Sequence, residues 1–108
     1  MAQFDVYKII GGNRQAAPYV VAVQSARFDR LPTRVVVPMV PPRRDRGMLD
    51  DNLAPPFRIE DTDVMLALWQ IFTIPVNALG PVVASLAEDN ASARIIRGLD
   101  ELISQIYG

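Results

Sequence analysis

The 108-residue sequence contains neither cysteine nor histidine. Without cysteine the protein has no disulfide and no thiol nucleophile. Without histidine it lacks the side chain that most often transfers protons near neutral pH and the commonest transition-metal ligand. A zinc site would then depend on carboxylates alone. We therefore expect a protein without a metal or other cofactor, and the composition argues against conventional acid–base or nucleophilic catalysis.

The sequence also lacks a strong charge and a long apolar run. Eleven lysines and arginines stand against twelve acidic residues, for a formal net charge of −1. This balance argues against binding of nucleic acid by bulk attraction to its phosphates. Every apolar stretch is shorter than the about 20 residues of a membrane helix. The first residues do not form a basic region followed by an apolar run, as a signal peptide does. We expect a cytoplasmic protein with no membrane partner.

The length suits a single domain over residues 1–108. The first three quarters show the short alternations and β-branched runs typical of strands. The predicted strands cover residues 3–10, 18–25, 34–40, 57–59, 63–70 and 71–76, with a hairpin turn at residues 60–62. The second is apolar on both faces and is predicted to be central. Pro38 lacks a backbone donor, so the third strand is predicted to be an edge or bulged there. The succession predicts a small, mostly antiparallel barrel, closed or nearly closed.

The periodicity changes near Asn90. Apolar residues then recur at the spacing of one helical face, at Ile95, Ile96, Leu99, Leu102, Ile103 and Ile106. This spacing predicts a C-terminal helix of roughly four turns that extends to the last residue. Asp89, Asn90 or Ser92 is expected to cap its start. The predicted fold class is therefore mainly β with one C-terminal helix.

Residues 41–56 form the most irregular segment. They contain four prolines and a charge cluster at Arg43, Arg44, Asp45 and Arg46. This composition predicts a long surface loop. The loop either contacts a polyanion or an acidic peptide, or only faces solvent.

Two further groups of residues are candidates for binding or chemistry. Phe28 lies in a polar connection beside arginines, which is the composition of a protein-contact hot spot. The alternative for Phe28 is a side chain folded back onto the core. The acidic residues Glu60, Asp61 and Asp63 lack the spacing of a Ca²⁺ loop and are expected to form a polar hairpin tip.

Five short motifs follow one another along nearly the whole chain. They are Gln3-Phe4-x-Val6-Tyr7, Val21-x-Val23-Gln24-Ser25, Asp29 with Arg34-x-Val36-x-Pro38, Pro75-Val76 with Leu79-Gly80, and Val83-Ala84-x-Leu86. In this order they resemble the CcdB family of toxin–antitoxin toxins, which poison DNA gyrase. The resemblance implies the CcdB/MazF-type toxin fold, a small SH3-like barrel with a C-terminal helix.

The resemblance also implies a mechanism without catalysis. A homodimer binds the DNA gyrase A subunit and traps the complex of gyrase with cleaved DNA. The apolar pair that contacts gyrase in the family falls on Arg27 and Phe28, and the family's C-terminal tail falls on Tyr107 and Gly108, with Ser104 one turn earlier on the helix. Arg27 puts a charge where the family has an aliphatic residue, and the terminal isoleucine of the family is absent.

A CcdA-like antitoxin is the second implied partner, and DNA would be contacted only indirectly, through the complex with the antitoxin. The basic residues Arg14, Arg43, Arg44 and Arg46 are the candidates for meeting its acidic side chains.

Two alternatives to gyrase poisoning are open. The related MazF/Kid toxins share the barrel and cleave RNA, and Arg58 with Asp61 or Asp63 would be the candidate pair for that chemistry. The other alternative is a non-toxic relic that keeps the fold and its affinity for an antitoxin.

Overall fold

The computed structural model describes residues 3–10, 17–42 and 53–104. These residues form seven β-strands and one α-helix. The strands are β1 (Asp5–Ile9), β2 (Tyr19–Ala22), β3 (Thr33–Val40), β4 (Pro56–Ile59), β5 (Thr62–Leu66), β6 (Phe72–Pro75) and β7 (Leu79–Ser85), and the helix is α1 (Asp89–Ser104). Short 3₁₀ turns precede β3, β6 and β7. The prediction of a mainly β fold with a C-terminal helix is confirmed.

The strands form one curled antiparallel sheet. Their order is β4–β5–β3–β2–β1–β7, and β6 pairs with β3 on the same edge as β5. β2 lies between β3 and β1, as its two apolar faces predicted. β1 is joined on its other edge to β7, with Asp5 opposite Ser85 and Ile9 opposite Leu79. The sheet therefore connects the first described strand directly to the strand that leads into α1.

Alternate residues of the strands fill two apolar cores on opposite faces of the sheet. The first core lies between the sheet and α1 and contains Phe4, Val6, Tyr19, Val21, Val23, Val37, Met39, Ile59, Val64, Leu66, Leu68, Leu86, Ala91 and Ile95. The second core contains Tyr7, Val20, Ala22, Val36, Ile74 and Leu79. Because neighbouring residues of a strand point to opposite faces, Val20, Val36 and their neighbours Val21 and Val37 are all buried.

Pro38 lies in a central strand, so the prediction of an edge strand or a bulge is wrong. One edge of β3 pairs with β2 as far as Met39. On the other edge the partner changes, since residues 33–36 pair with β6 and residues 39–40 pair with β5. Pro38 falls between these two pairings, where its missing N–H costs no ladder bond. Its carbonyl oxygen still accepts from the Ala67 N–H at 2.9 Å. The sheet therefore tolerates a proline where a strand changes partner.

β7 is absent from the strands predicted above. Its Gly80-Pro81 sequence is typical of a break in structure, yet the strand pairs with β1 through a register that shifts at two places. A Cβ on Gly80 would lie 2.7 Å from the Lys8 carbonyl oxygen, closer than van der Waals contact allows. Glycine is therefore required where the irregular pairing brings the two backbones together.

β4 and β5 form the predicted hairpin, with a turn of two residues. Glu60 and Asp61 have φ values of 49° and 61°. Positive φ at both central residues is the signature of the type I′ turn, whose twist matches that of the flanking strands. The predicted three-residue turn is therefore one residue too long, because Thr62 already belongs to β5.

Glu88 caps the start of α1, although the sequence favoured Asp89, Asn90 or Ser92. One Glu88 carboxylate oxygen accepts from the Ala91 N–H at 3.2 Å, and the Glu88 carbonyl oxygen accepts from the Ser92 N–H at 2.9 Å. Glutamate is not a preferred capping residue, which is why the pattern pointed elsewhere. Within the described ranges, no helix combines the length and the apolar character needed to cross a membrane.

Candidate protein-contact site

The connection between β2 and β3 is a compact loop built on a 3₁₀ turn at Ala26–Phe28. Ser25 precedes the turn, and its Oγ accepts from the Arg27 backbone N–H at 3.3 Å. The Ser25 carbonyl oxygen accepts from the Phe28 N–H at 3.0 Å, and the Phe28 carbonyl oxygen accepts from the Leu31 N–H at 3.0 Å. Hydrogen bonds within the loop therefore fix much of its backbone.

The side chain of Arg34 holds this loop from its buried side. Arg34 is only 6% exposed. Its guanidinium donates to the carbonyl oxygens of Leu31 at 2.6 Å, Thr33 at 2.8 Å and Asp29 at 2.8 Å. Its Nε also lies 3.9 Å from Asp29 Oδ1. A planar group with five donors in fixed directions can serve several carbonyl oxygens at once. The conformation of the loop therefore depends on Arg34.

Gln24 provides a second attachment between the loop and β3. Its Nε2 donates to the Phe28 carbonyl oxygen at 3.2 Å and to the Thr33 carbonyl oxygen at 3.4 Å. Its Oε1 accepts from the Val35 N–H at 3.1 Å. Together with Arg34, this amide gives a preorganised loop, and a preorganised loop loses little conformational freedom when it binds a partner.

Four exposed side chains of the loop form what we name the β2–β3 surface: Arg27, Phe28, Arg30 and Leu31. Phe28 is 53% exposed and Leu31 is 50% exposed. The Arg27 and Arg30 guanidinium groups have no hydrogen-bond or ion-pair partner among the residues that the structure describes. Of the two alternatives for Phe28, the structure supports the exposed one rather than burial in the core.

α1 exposes a second group of apolar side chains. Ala91 and Ile95 face the first core, whereas Ile96 and Ile103 are exposed. Ile96 and Ile103 lie two helical turns apart and therefore on the same side of the helix. Leu102 is also partly exposed. The helix thus presents an apolar face to solvent in addition to the one that it buries.

The structure describes only part of the predicted contact residues. Arg27 and Phe28 lie together on the β2–β3 surface, and Ser104 is the last residue of α1. Tyr107, Gly108 and the basic candidates Arg14, Arg43, Arg44 and Arg46 lie outside the described residues. Sequence reasoning missed Arg30 and Leu31, whose only signal was their position in the same polar connection as Phe28.

The β4–β5 hairpin carries the pair considered for ribonuclease chemistry. Arg58 Nη1 donates to Asp63 Oδ1 at 3.0 Å, and both side chains are well exposed. The two residues are directly opposite in the antiparallel register, so their pairing is an ordinary cross-strand contact. Asp61 is exposed at the turn.

Glu60 connects the tip of this hairpin to β2 and β1, through Tyr19 and Lys8. Its Oε1 accepts from the Tyr19 hydroxyl at 2.8 Å and lies 3.6 Å from Lys8 Nζ. Burial raises the pKa of Tyr19 above its ordinary value of 10.0, and the hydrogen bond to Glu60 raises it further. The acidic cluster of the sequence is therefore divided between two separate contacts, Glu60 with Tyr19 and Asp63 with Arg58.

The hydroxyl of Tyr7 is buried in the second core, where Tyr7 is 3% exposed. It has no hydrogen-bond partner among the described residues. Burial raises the pKa of Tyr7 above 10.0, the nearby Asp5 carboxylate raises it further, and the Arg34 charge acts in the opposite direction. Tyr7 thus contributes its ring to the second core, and its hydroxyl is unpaired among the residues that the structure describes.

Pockets lie at both ends of the sheet. One of about 340 Å³ is lined by Lys8, Ile9, Ile10, Pro18, Tyr19, Gly80 and Pro81. Another of about 430 Å³ is lined by Pro42, Pro56, Phe57, Arg58, Asp63 and Val64. Beside it, the Arg94 guanidinium of α1 lies 4.5 Å from the centre of the Phe57 ring. Across the described residues, no three acidic side chains are grouped so as to hold a metal ion.

Comparisons with known proteins agree with this architecture. One solved structure, described as an endoribonuclease in complex with its cognate antitoxin from a mycobacterial species, superposes with a TM-score of 0.78 at 14% sequence identity, covering 100% of this chain and 99% of that chain. Another, described as a crystal structure of an Mtb toxin, superposes with a TM-score of 0.69 at 17% identity, covering 90% of this chain and 98% of that one. At these identities the two structures show a shared fold.

The family comparison is more specific than the likeness of folds. No curated protein sequence matches the chain. The family model described as CcdB protein matches residues 3–104, a span that includes all seven strands, the β2–β3 loop and α1. The chain therefore belongs to the CcdB family.

Proposed function

We propose that the protein is the toxin of a toxin–antitoxin pair and that it binds the DNA gyrase A subunit and traps the complex of gyrase with cleaved DNA. The observation that carries the proposal is the CcdB family match over residues 3–104. That match includes the β2–β3 loop, where the Phe28 side chain is exposed and its carbonyl oxygen accepts from Gln24 Nε2. A poison of this kind needs shape and anchoring side chains rather than a nucleophile.

Among the described residues, Phe28 is the side chain that we propose to anchor the protein to gyrase. Arg27 lies beside it, and Ser104, Tyr107 and Gly108 are the further proposed contacts at the C-terminal end. An aromatic side chain buried in a partner's pocket contributes about 2 kcal/mol or more to binding. Arg27 requires an acidic partner or a position facing solvent, because an unpaired buried charge weakens binding.

A homodimer is part of the proposal. The exposed apolar residues Ile96, Leu102 and Ile103 of α1 support it, because apolar side chains exposed on a small protein are commonly covered by a second copy. Sedimentation at micromolar concentration is expected to give a species of twice the 12.0 kDa chain mass. A sedimentation coefficient fitting only the single chain contradicts the homodimer.

An antitoxin similar to CcdA is the second proposed partner. A solved structure with the same fold contains its cognate antitoxin, which supports this partner. We propose that a disordered antitoxin segment folds on the toxin and that Arg14, Arg43, Arg44 and Arg46 meet its acidic residues. DNA would then be contacted only through the antitoxin complex. Charge reversal at Arg43 and Arg44 is expected to weaken antitoxin binding, and unchanged affinity would contradict a role for these arginines.

A gyrase cleavage assay tests the function. The intact chain is expected to accumulate cleaved DNA in the presence of gyrase. Phe28→Ala should need roughly 30-fold more protein for the same cleavage, since 2 kcal/mol corresponds to that factor. Phe72→Ala is the matched control, because Phe72 is an exposed phenylalanine of β6 outside the β2–β3 surface. A chain truncated after residue 106 tests Tyr107 and Gly108, and equal cleavage by the truncated and intact chains removes the tail from the mechanism.

The alternatives give different results in parallel assays. Degradation of bulk RNA, abolished by Arg58→Ala, would favour a ribonuclease that uses the Arg58–Asp63 pair. Antitoxin binding without gyrase cleavage or RNA degradation would favour the non-toxic relic. Either result overturns gyrase poisoning.

A further inference from the structure

We propose that the β2–β3 surface recognises an acidic protein segment that carries an apolar anchoring side chain. The inference rests on the proposed function in one respect, because both take this loop as a protein-contact surface. It adds the chemistry of the partner, which the arginines of this chain determine.

Phe28 and Leu31 form the apolar part of the surface. The Leu31 N–H donates to the Phe28 carbonyl oxygen at 3.0 Å. This hydrogen bond closes a four-residue turn, and the first and last Cα atoms of such a turn lie within about 7 Å. The two half-exposed side chains therefore start from neighbouring points on the backbone. They offer a paired apolar contact to one partner side chain or small cluster.

The charge beside this apolar pair is positive. Residues 25–34 contain three arginines and a single acidic residue, in a chain whose net charge is −1. The single acidic residue, Asp29, has its carboxylate 3.9 Å from Nε of the buried Arg34. Arg27 and Arg30 therefore have no acidic neighbour engaged with them on the described surface. Their charges remain available to a partner.

These features select for one kind of partner. A guanidinium pairs well with a carboxylate because its planar donors match the two carboxylate oxygens. An entirely apolar or a basic partner would desolvate or repel Arg27 and Arg30 without compensation. A segment with an apolar residue between acidic ones satisfies both parts of the surface. The fixed loop conformation, held by Arg34 and Gln24, presents these groups without prior rearrangement.

A random-peptide selection tests the proposal without gyrase or an antitoxin. A phage-displayed library of random twelve-residue peptides is selected on the immobilised full chain, and one enriched peptide is synthesised with a fluorescent label. We expect enriched peptides to place aspartate or glutamate on both sides of a large apolar residue. Fluorescence anisotropy should then show affinity that falls as salt concentration increases.

Two matched double variants separate this surface from general electrostatics. Arg27→Glu/Arg30→Glu should weaken binding of the selected peptide by at least about tenfold. Arg58→Glu/Arg97→Glu makes the same change in net charge at exposed positions of the hairpin and the helix, and binding should change less than about twofold. Phe28→Ala/Leu31→Ala should also weaken binding. Circular dichroism and urea unfolding of each variant verify that it is folded.

Three results would overturn the proposal: enriched peptides without acidic residues, equal losses in the two charge-reversed variants, or a selection that yields no peptide sensitive to Arg27 and Arg30. Because no gyrase is present, the inference can fail while the cleavage assay still supports gyrase poisoning. The reverse outcome, acidic-peptide binding without gyrase cleavage, would leave the surface in place and reject the proposed target.

Discussion

Nη2 of Arg34 donates to the carbonyl oxygen of Asp29 at 2.8 Å, so a buried side chain of β3 is bonded to the exposed loop that precedes it. Two further carbonyl oxygens of the same connection accept from Nη1 of this guanidinium. The exposed position of Phe28 therefore depends on a residue that a partner would not touch.

Removal of the Arg34 donors is expected to be strongly destabilising. Arg34→Met keeps an apolar stem but removes the guanidinium that donates to three carbonyl oxygens. We expect the free energy of unfolding to fall by about 2–4 kcal/mol, since each hydrogen bond from a charged group contributes about 1.5–3 kcal/mol and part of the loss is recovered by water. Urea unfolding measures the change. Arg30→Met, at an exposed neighbouring arginine, should stay within about 0.5 kcal/mol. A loss below about 1 kcal/mol for Arg34→Met would show that the loop does not need these contacts.

Two tyrosine-to-phenylalanine changes should have opposite signs. Tyr7→Phe removes a buried hydroxyl that has no partner in the described structure, and we expect a gain of about 1 kcal/mol in the free energy of unfolding. Tyr19→Phe removes the donor to Glu60, and we expect a loss of about 1 kcal/mol. Chemical unfolding of both variants at neutral pH gives the comparison. Destabilisation by Tyr7→Phe would mean that its hydroxyl is hydrogen-bonded.

Alkaline pH should destabilise the fold through the same tyrosines. The folded protein raises the pKa of Tyr7 and Tyr19 above 10.0, so it retains their protons at a pH where the unfolded chain releases them. Their contribution to stability is full below pH 10 and is lost as the pH rises through the folded pKa values. The chain has one lysine, so few other groups titrate in this range. Urea midpoints should fall above pH 10, and less steeply in the Tyr7→Phe/Tyr19→Phe variant. Identical slopes would exclude the tyrosines as the cause.

Gly80→Ala is expected to disturb the pairing of β1 with β7. The added methyl group would meet the Lys8 carbonyl oxygen at 2.7 Å, and a backbone oxygen cannot move without moving its strand. We expect the free energy of unfolding to fall by about 2 kcal/mol, measured by thermal unfolding. Val82→Ala is the control, because its side chain is exposed on the same strand. A thermal midpoint for Gly80→Ala equal to that of the unmodified protein would mean that the strands separate at little cost.

The sequence predicted those parts of the fold that follow from local pattern. Alternation located β1, and a β-branched run that is apolar on both faces located β2. The turn at residues 60–62 located the β4–β5 hairpin, and the apolar stripe through Ile95 and Leu99 located α1. β7 was missed because Gly80 and Pro81 signal a break unless the partner strand is known. The Pro38 prediction failed for a related reason, since the change from β6 to β5 on one edge of β3 is a property of the assembled sheet.

The sequence predicted the exposed Phe28 of the candidate site but not the hydrogen bonds by which Arg34 and Gln24 hold its loop. Phe28 was identifiable as a large aromatic in a polar connection. Arg34 was recognised only within a family motif, because arginine is rarely buried and nothing in its neighbours predicts three carbonyl oxygens around it. The same holds for Gln24, because its hydrogen-bond partners in β3 lie beside it only in the folded protein and cannot be read from the neighbouring sequence.

Because β1 pairs with β7, the sheet can be completed only late in the synthesis of the chain. One edge of β1 stays open on the ribosome until β7 has emerged, so the sheet closes by contact between distant parts of the chain, a slow class of folding step. A fragment released before Leu79 would keep that edge unpaired and open to pairing with other chains. Incomplete translation products that lack β7 are therefore expected to aggregate or to be degraded. The sheet can be completed only after Ser85, the last residue of β7, has been synthesised.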